Sequence, residues 1–205
     1  HRDLHSFPTR RSSDLVPLGA PTGSARLGAA LSCHPAFVDG LVAAATGTEI
    51  LVIDARTGRP AWGAPLAAAY RDQPEEAPLL EEPSETLGVP RWTVTIHEGR
   101  LYARVGTSVT SRPQNSTFRA PPAALVSLDL AAEGRLAWKM VPEEGWAVEG
   151  APLVDGADVY VAMRRSDIRP QAHVACLDAR TGQVRWRRFV CAAEKPAGGM
   201  LQEGP

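Results

Sequence analysis

One short pattern recurs three times and restricts the fold more than anything else in the chain. ILVIDARTGRPAW (50–62), LVSLDLAAEGRLAW (125–138) and VACLDARTGQVRW (174–186) each run from an apolar stretch through an aspartate to a glycine, and then to a tryptophan. The glycine-to-tryptophan interval is constant: Gly58 to Trp62, Gly134 to Trp138, Gly182 to Trp186. The middle copy has one extra residue between Asp129 and Gly134 and lacks the threonine found at Thr57 and Thr181. Self-similarity of this kind marks an array of supersecondary units, each too small to bury its apolar faces alone.

The similarity extends upstream. HPAFVDGLVAAAT (34–46) resembles GAPLVDGADVYVAM (150–163), and VTIHEGRLYARV (94–105) has the same form of apolar run, acidic-Gly turn and second apolar run. Short apolar runs on either side of Asp-Gly or Glu-Gly are a hairpin signal. Each unit therefore reads as strand, tight turn, strand, loop, strand, tight turn, strand. Four short antiparallel strands per unit, repeated, predict an all-β fold: a partial β-propeller of about three four-stranded blades, not closed.

The repeated turn has a physical logic. An aspartate ending a strand accepts hydrogen bonds from the next backbone N–H groups, and a glycine supplies the positive φ that closes a bulged hairpin. A tryptophan at fixed register then suits burial between neighbouring blades, where its indole N–H can find a backbone carbonyl. The carboxylates of Asp54 and Asp178, satisfied by turn N–H groups, are expected to be ionised and structural. The residues singled out are thus a structural repeat motif: Asp54, Thr57, Gly58, Trp62, Asp129, Gly134, Trp138, Asp178, Thr181, Gly182 and Trp186.

The units divide the chain as follows. Residues 16–31 are an incomplete upstream segment and 32–62 the first blade. Residues 63–91, with five Pro and five Glu, form an inter-blade insertion with a short helix around Leu66–Tyr70. The second blade is 92–140 with a long polar loop at 107–124, the third is 141–190, and 191–205 begin a further segment. Trp92 and Trp146, outside the motif, are read as strand packing.

Composition adds exclusions. A net charge of −1 gives no basic field for nucleic acid, and no apolar run approaches the ~20 residues of a membrane span. Cys33, Cys176 and Cys191 form no CxxC pair. His34, His97 and His173 each stand alone in their units, and Cys33 and His34, adjacent on a strand, point to opposite faces. No catalytic, cofactor-binding or metal residue is assigned.

The unit resembles the β-propeller repeat of pyrroloquinoline-quinone (PQQ) proteins, whose form is apolar-Leu-Asp-Ala-x-Thr-Gly-x-x-x-Trp. Asp54, Thr57, Gly58 and Trp62 match it, as do Asp178, Thr181, Gly182 and Trp186, while Asp129, Gly134 and Trp138 match with the insertion. The resemblance covers roughly residues 32–190. It implies one of two functions. The first is a bacterial, non-enzymatic binding or scaffolding propeller without cofactor, acting on a protein or polymer partner in the periplasm or elsewhere outside the cytoplasm. The alternative is part of a quinoprotein dehydrogenase that uses PQQ and calcium, with its active site mostly in further blades. Dehydrogenases of that branch carry a vicinal Cys-Cys pair over the quinone, and this chain has no adjacent cysteines.

The opening fifteen residues, His1–Leu15, have no counterpart in any unit. They are identical to the conceptual translation of a sequencing-library adapter, so they are read as an adapter-derived artefact and expected to be disordered. With the repeats, this makes the chain a fragment cut at both ends, one expected to associate or aggregate through open blade faces.

Overall fold

The computed structural model describes residues 32–72, 91–106, 123–165 and 171–192. All of His1–Leu15 and of the upstream segment 16–31, residues 73–90 of the first insertion, the loop at 107–122, residues 166–170 and residues 193–205 lie outside the described residues.

The described chain is built from strands. In order they are β1 (Ser32–His34), β2 (Ala36–Val38), β3 (Leu41–Ala45), β4 (Glu49–Asp54), β5 (Ala68–Arg71), β6 (Arg91–His97), β7 (Arg100–Val105), β8 (Ala124–Asp129), β9 (Arg135–Met140), β10 (Trp146–Asp155), β11 (Asp158–Arg165), β12 (Gln171–Asp178) and β13 (Val184–Ala192). They form three sheets, each a meander of antiparallel neighbours: β2-β3-β4-β5, β6-β7-β8-β9 and β10-β11-β12-β13. None closes on itself, and the architecture is the partial propeller expected.

Hairpin chemistry sets the inner strands. Asp39 and Gly40 (φ 46° and 80°) join β2 to β3, and Glu98 and Gly99 (φ 45° and 71°) join β6 to β7. Two positive φ values in a two-residue loop match the right-handed twist of the strands they connect. The third unit departs from the sequence alignment by one residue. Asp155 pairs with Asp158 inside the ladder, so the loop there is Gly156-Ala157, with Gly156 (φ 53°) in the first central position. Asp39 and Asp155, aligned by sequence, therefore occupy different places.

The first unit also differs from expectation at its outer edge. The helix expected around Leu66–Tyr70 is instead β5, a fourth strand lying inside the stretch read as an insertion. Pro60 makes only an isolated bridge to Ile53, and Trp62 sits in a 3-10 turn (Ala61–Gly63) with φ 55°. The open edge of β4 is then completed further along the chain: Val52 N–H donates to Ala67 O at 2.8 Å, and Ile50 and Glu49 pair with Tyr70 and Arg71. Pairing with an existing edge outweighs the local helix preference of an alanine-rich stretch. Likewise, β8 begins at Ala124 inside the expected loop, and β13 runs on through Ala192.

The sheets stack through alternating faces. Ala43, Ala45, Ile50 and Val52 of the first sheet pack against Leu101, Ala103, Val105, Val126 and Leu128 of the second. The opposite face of the second sheet, with Tyr102, Leu125 and Trp138, packs against Val148, Val159, Val161, Met163, Ala175 and Leu177 of the third. The middle sheet is covered on both sides, which explains why β7 and β8 are almost wholly buried while β13 is exposed along nearly its whole length.

Neighbouring units also meet along their inner strands. β1, which leads into the first sheet, runs parallel to β6 with Cys33 opposite Trp92 and His34 opposite Thr93. Thr95 Oγ1 donates to Pro152 O at 2.6 Å, joining the inner strands of the second and third units. Trp92 is buried in the first core. Trp146 packs at the edge of the second, with the Arg187 guanidinium 4.0 Å from its ring centroid and His173 edge-on at 4.7 Å.

Candidate functional site

The repeated residues converge on two places: the turn between the last two strands of each unit, and the junction of that turn with the preceding unit. In the third unit Asp178 Oδ1 accepts from the N–H groups of Arg180 and Thr181, both at 2.9 Å, and from Thr181 Oγ1 at 3.1 Å. Gly182, at φ 71°, donates its N–H to Asp178 O at 2.8 Å. In the first unit Asp54 Oδ1 accepts from Thr57 N–H at 2.6 Å, and Gly58 (φ 67°) donates to Asp54 O at 2.8 Å. In the middle unit Asp129 Oδ1 accepts from Ala131 and Ala132 N–H, and Gly134 N–H returns to Asp129 O at 2.8 Å. The extra residue there is absorbed by two consecutive left-handed residues, Glu133 (φ 57°) and Gly134 (φ 74°).

In each unit the residue before the aspartate pairs with the residue two beyond the glycine: Ile53 with Pro60, Leu128 with Leu136, Leu177 with Val184. The ladder slips at this point in the second and third units, between Ser127 and Leu128 and between Cys176 and Leu177. That bulge turns the outer strand so that its tryptophan projects toward the next unit.

Each inner tryptophan serves the unit that follows its own. The Trp138 indole Nε1 donates to Ala179 O at 2.9 Å, in a buried bond, and its ring lies so close to Gly182 that a Cβ there would fall 2.5 Å from Cε3. Trp62 approaches Gly134 in the same way, with a Cβ there 2.9 Å from its Cζ3. Trp186, 41% exposed, lies on the face of the third sheet that no described sheet covers. A polar tie supports the first junction: Lys139 Nζ meets Asp72 Oδ1 at 2.6 Å, and Tyr70 Oη donates to the same oxygen at 3.2 Å. Asp72 carries no mark in the sequence, because its ionic partner Lys139 lies on another unit.

Electrostatics agree with a structural use of the carboxylates. Arg185, which bonds Asp178 Oδ2 at 2.7 Å and Asp158 Oδ1 at 2.5 Å, holds the Asp178 carboxyl well below the usual carboxylate range, with the Thr181 and Arg180 N–H groups adding to the effect. Thr57 lowers Asp54 through its side chain and its backbone N–H. A folded-state pKa below the unfolded value of 3.8 gives stability that is present above that value and lost as pH falls through the folded pKa. The gap in melting temperature between the chain and Asp178→Asn is therefore expected to be widest at neutral pH and to narrow below about pH 4. A gap of the same size at pH 7 and pH 3 would show that charge on Asp178 has no part in holding the turn.

Two further features bring distant residues together. Arg104 is buried with its guanidinium 4.6 Å from the Trp92 ring centroid; burial lowers its pKa to about 10, opposed by Glu149. Between the second and third sheets, a groove of about 450 Å³ is lined by residues that include His97, Arg100, Tyr102, Asp178 and Arg180. His97 Nε2 and Arg100 Nη1 are buried without a hydrogen-bond partner. His97, solitary in sequence, thus stands in a polar, partly cationic recess that can take hydrogen-bonding groups.

The fold of PQQ enzymes raises the question of calcium, a hard cation that takes six to eight oxygen ligands. Among the described residues no three His, Cys, Asp or Glu side chains come close enough together to hold a metal ion. The cysteines are separate too: Cys33 on β1, Cys176 buried on β12 and Cys191 exposed on β13. The described residues do not make the donor set such a centre needs. Among the described residues, no helix is long and apolar enough to cross a membrane.

Solved structures with the same fold include a quinohemoprotein alcohol dehydrogenase of Pseudomonas putida HK5, at 20% identity and TM-score 0.52 over 80% of this chain. A quinohemoprotein alcohol dehydrogenase of Comamonas testosteroni is similar at 22% identity and TM-score 0.50 over 78% of this chain. The chain spans about a fifth of the length of each, 21% in both cases. No curated protein matches the chain. A family model described as outer membrane protein assembly factor BamB matches residues 83–202, more than half of the sequence, and the chain belongs to that PQQ-like propeller family.

Proposed function

We propose that the chain is part of a non-enzymatic propeller that binds or scaffolds a protein or polymer partner outside the cytoplasm. The observation that carries the reading is the match of residues 83–202 to a family described by assembly and not by catalysis. The site geometry supports it. Each of the three recurring aspartates gives its Oδ1 to turn N–H groups, and Asp178 Oδ2 is further bound by Arg185. Two buried groups with hydrogen-bonding capacity left, His97 Nε2 and Arg100 Nη1, belong to residues lining an open groove at a unit junction, a place where a bound chain could be met.

The competing reading, a PQQ- and calcium-dependent dehydrogenase, is tested on this chain and on any longer protein that contains it. Tryptophan fluorescence is followed while PQQ is added with millimolar Ca²⁺. The expected result is no saturable change. Stoichiometric, calcium-dependent quenching together with dye-linked alcohol oxidation would overturn the binding-module reading.

A further inference from the structure

The two ends of the sheet stack carry the two halves of one junction. The pentapeptide Asp-Ala-Arg-Thr-Gly occurs twice, at 54–58 and 178–182. The second copy receives Trp138 of the preceding unit through Ala179 O and Gly182. The first copy belongs to the first sheet, which no described sheet precedes. At the opposite end stands Trp186, poised as Trp138 is. The Tyr102–Trp138 rings are 6.0 Å apart at 52°, and the Tyr160–Trp186 rings are 6.1 Å apart at 52°. The third sheet thus already presents its tryptophan in the docking arrangement used one unit earlier.

The surrounding positions correspond as well. Leu153 pairs with Tyr160 and shares its face, and the same place in the second unit is held by Thr95, opposite Tyr102. Thr95 touches Pro152 on the inner strand of the next unit. On the outer face of the first sheet, Phe37 opposite Val42 occupies the place of Ile96 opposite Leu101 and Val154 opposite Val159. Ile96 and Val154 both pack against the core shared with the preceding sheet. Phe37 and Leu153 are instead each 69% exposed.

We propose that two copies of this chain join head to tail. The open face of the third sheet of each copy seats on the outer face of the first sheet of the other, with Trp186 over Gly58 and its indole N–H on Ala55 O. Contacts of this heterologous kind either close into a ring or run on without limit. The described residues of two copies supply six sheets, inside the range of about four to eight blades over which propellers close, whereas those of three copies would exceed it. The closed pair is therefore the expected product.

The test is sedimentation of the full 205-residue chain over a range of concentrations, beside Phe37→Glu and Leu153→Glu. Both substitutions fall on exposed positions, so circular dichroism should stay as in the parent. The parent is expected at twice its 21.9 kDa mass, each variant alone at that single mass, and an equimolar mixture of the two variants as a one-to-one pair, because one intact junction remains. A parent that stays monomeric, or grows into polymers of unlimited size, overturns the closed pair. A variant that pairs by itself shows that its face is not in the contact or that like faces meet, and a mixture that stays monomeric removes the head-to-tail arrangement.

Discussion

Trp138→Ala is expected to destabilise the chain by about 3–5 kcal/mol, the range for removing a large aromatic side chain from a packed interior. Three losses coincide at this residue. The ring leaves the core shared by the second and third sheets, the buried bond from Nε1 to Ala179 O disappears, and the tilted contact with Tyr102 goes with it. Because stability in a repeat array is a sum of unit and neighbour-interface terms, the loss falls on one interface. Urea titration with hydrogen exchange should show the third sheet's amides losing protection first, with those of the first sheet least affected. Uniform loss across all three sheets would contradict a junction role for Trp138.

Gly182→Ala is expected to cost about 2–4 kcal/mol, combining a left-handed backbone, about 1–2 kcal/mol for an L-residue, with a collision. The added Cβ would lie 2.5 Å from Trp138 Cε3 and 2.6 Å from Cδ2. Gly99→Ala isolates the backbone contribution, since Gly99 has the same φ of 71° and nothing within 4 Å of a Cβ; only about 1–2 kcal/mol is expected there. Combining Gly182→Ala with Trp138→Ala should cost less than the sum of the two, because the smaller residue at 138 removes the collision. Equal losses for Gly182→Ala and Gly99→Ala, or full additivity in the double variant, would mean that ring contact adds nothing at this glycine.

The parts of the structure that the sequence made legible are those settled within a few residues. A strand ending in aspartate, a left-handed glycine and a two-residue hairpin leave local marks, and three copies of them point to meandering sheets. What lay hidden depends on partners far along the chain. β5 could not be read from Leu66–Tyr70 because its conformation is imposed by the edge of β4 after Pro60 interrupts the ladder. The one-residue offset at Gly156-Ala157 is set by the pairing of β10 with β11, not by the Asp-Gly dipeptide itself. Tyr70, Asp72 and Lys139 come together only when two sheets stack. So do His97 and Arg100 of the second unit and Arg180 of the third, of which the sequence singled out only His97, as a solitary histidine.

A tryptophan that serves the following unit and not its own has a consequence for how such a chain can change over time. A whole unit copied in tandem arrives already fitted at both ends, since its glycine turn receives the ring before it and its own ring reaches the turn after it. Unit number can therefore rise or fall in whole steps without inventing a new contact surface. A partial copy, by contrast, strands either a ring or a glycine and leaves one seam open. The identity of the turns at 54–58 and 178–182, with a more divergent one between them, shows how little of each unit such a seam requires to be kept.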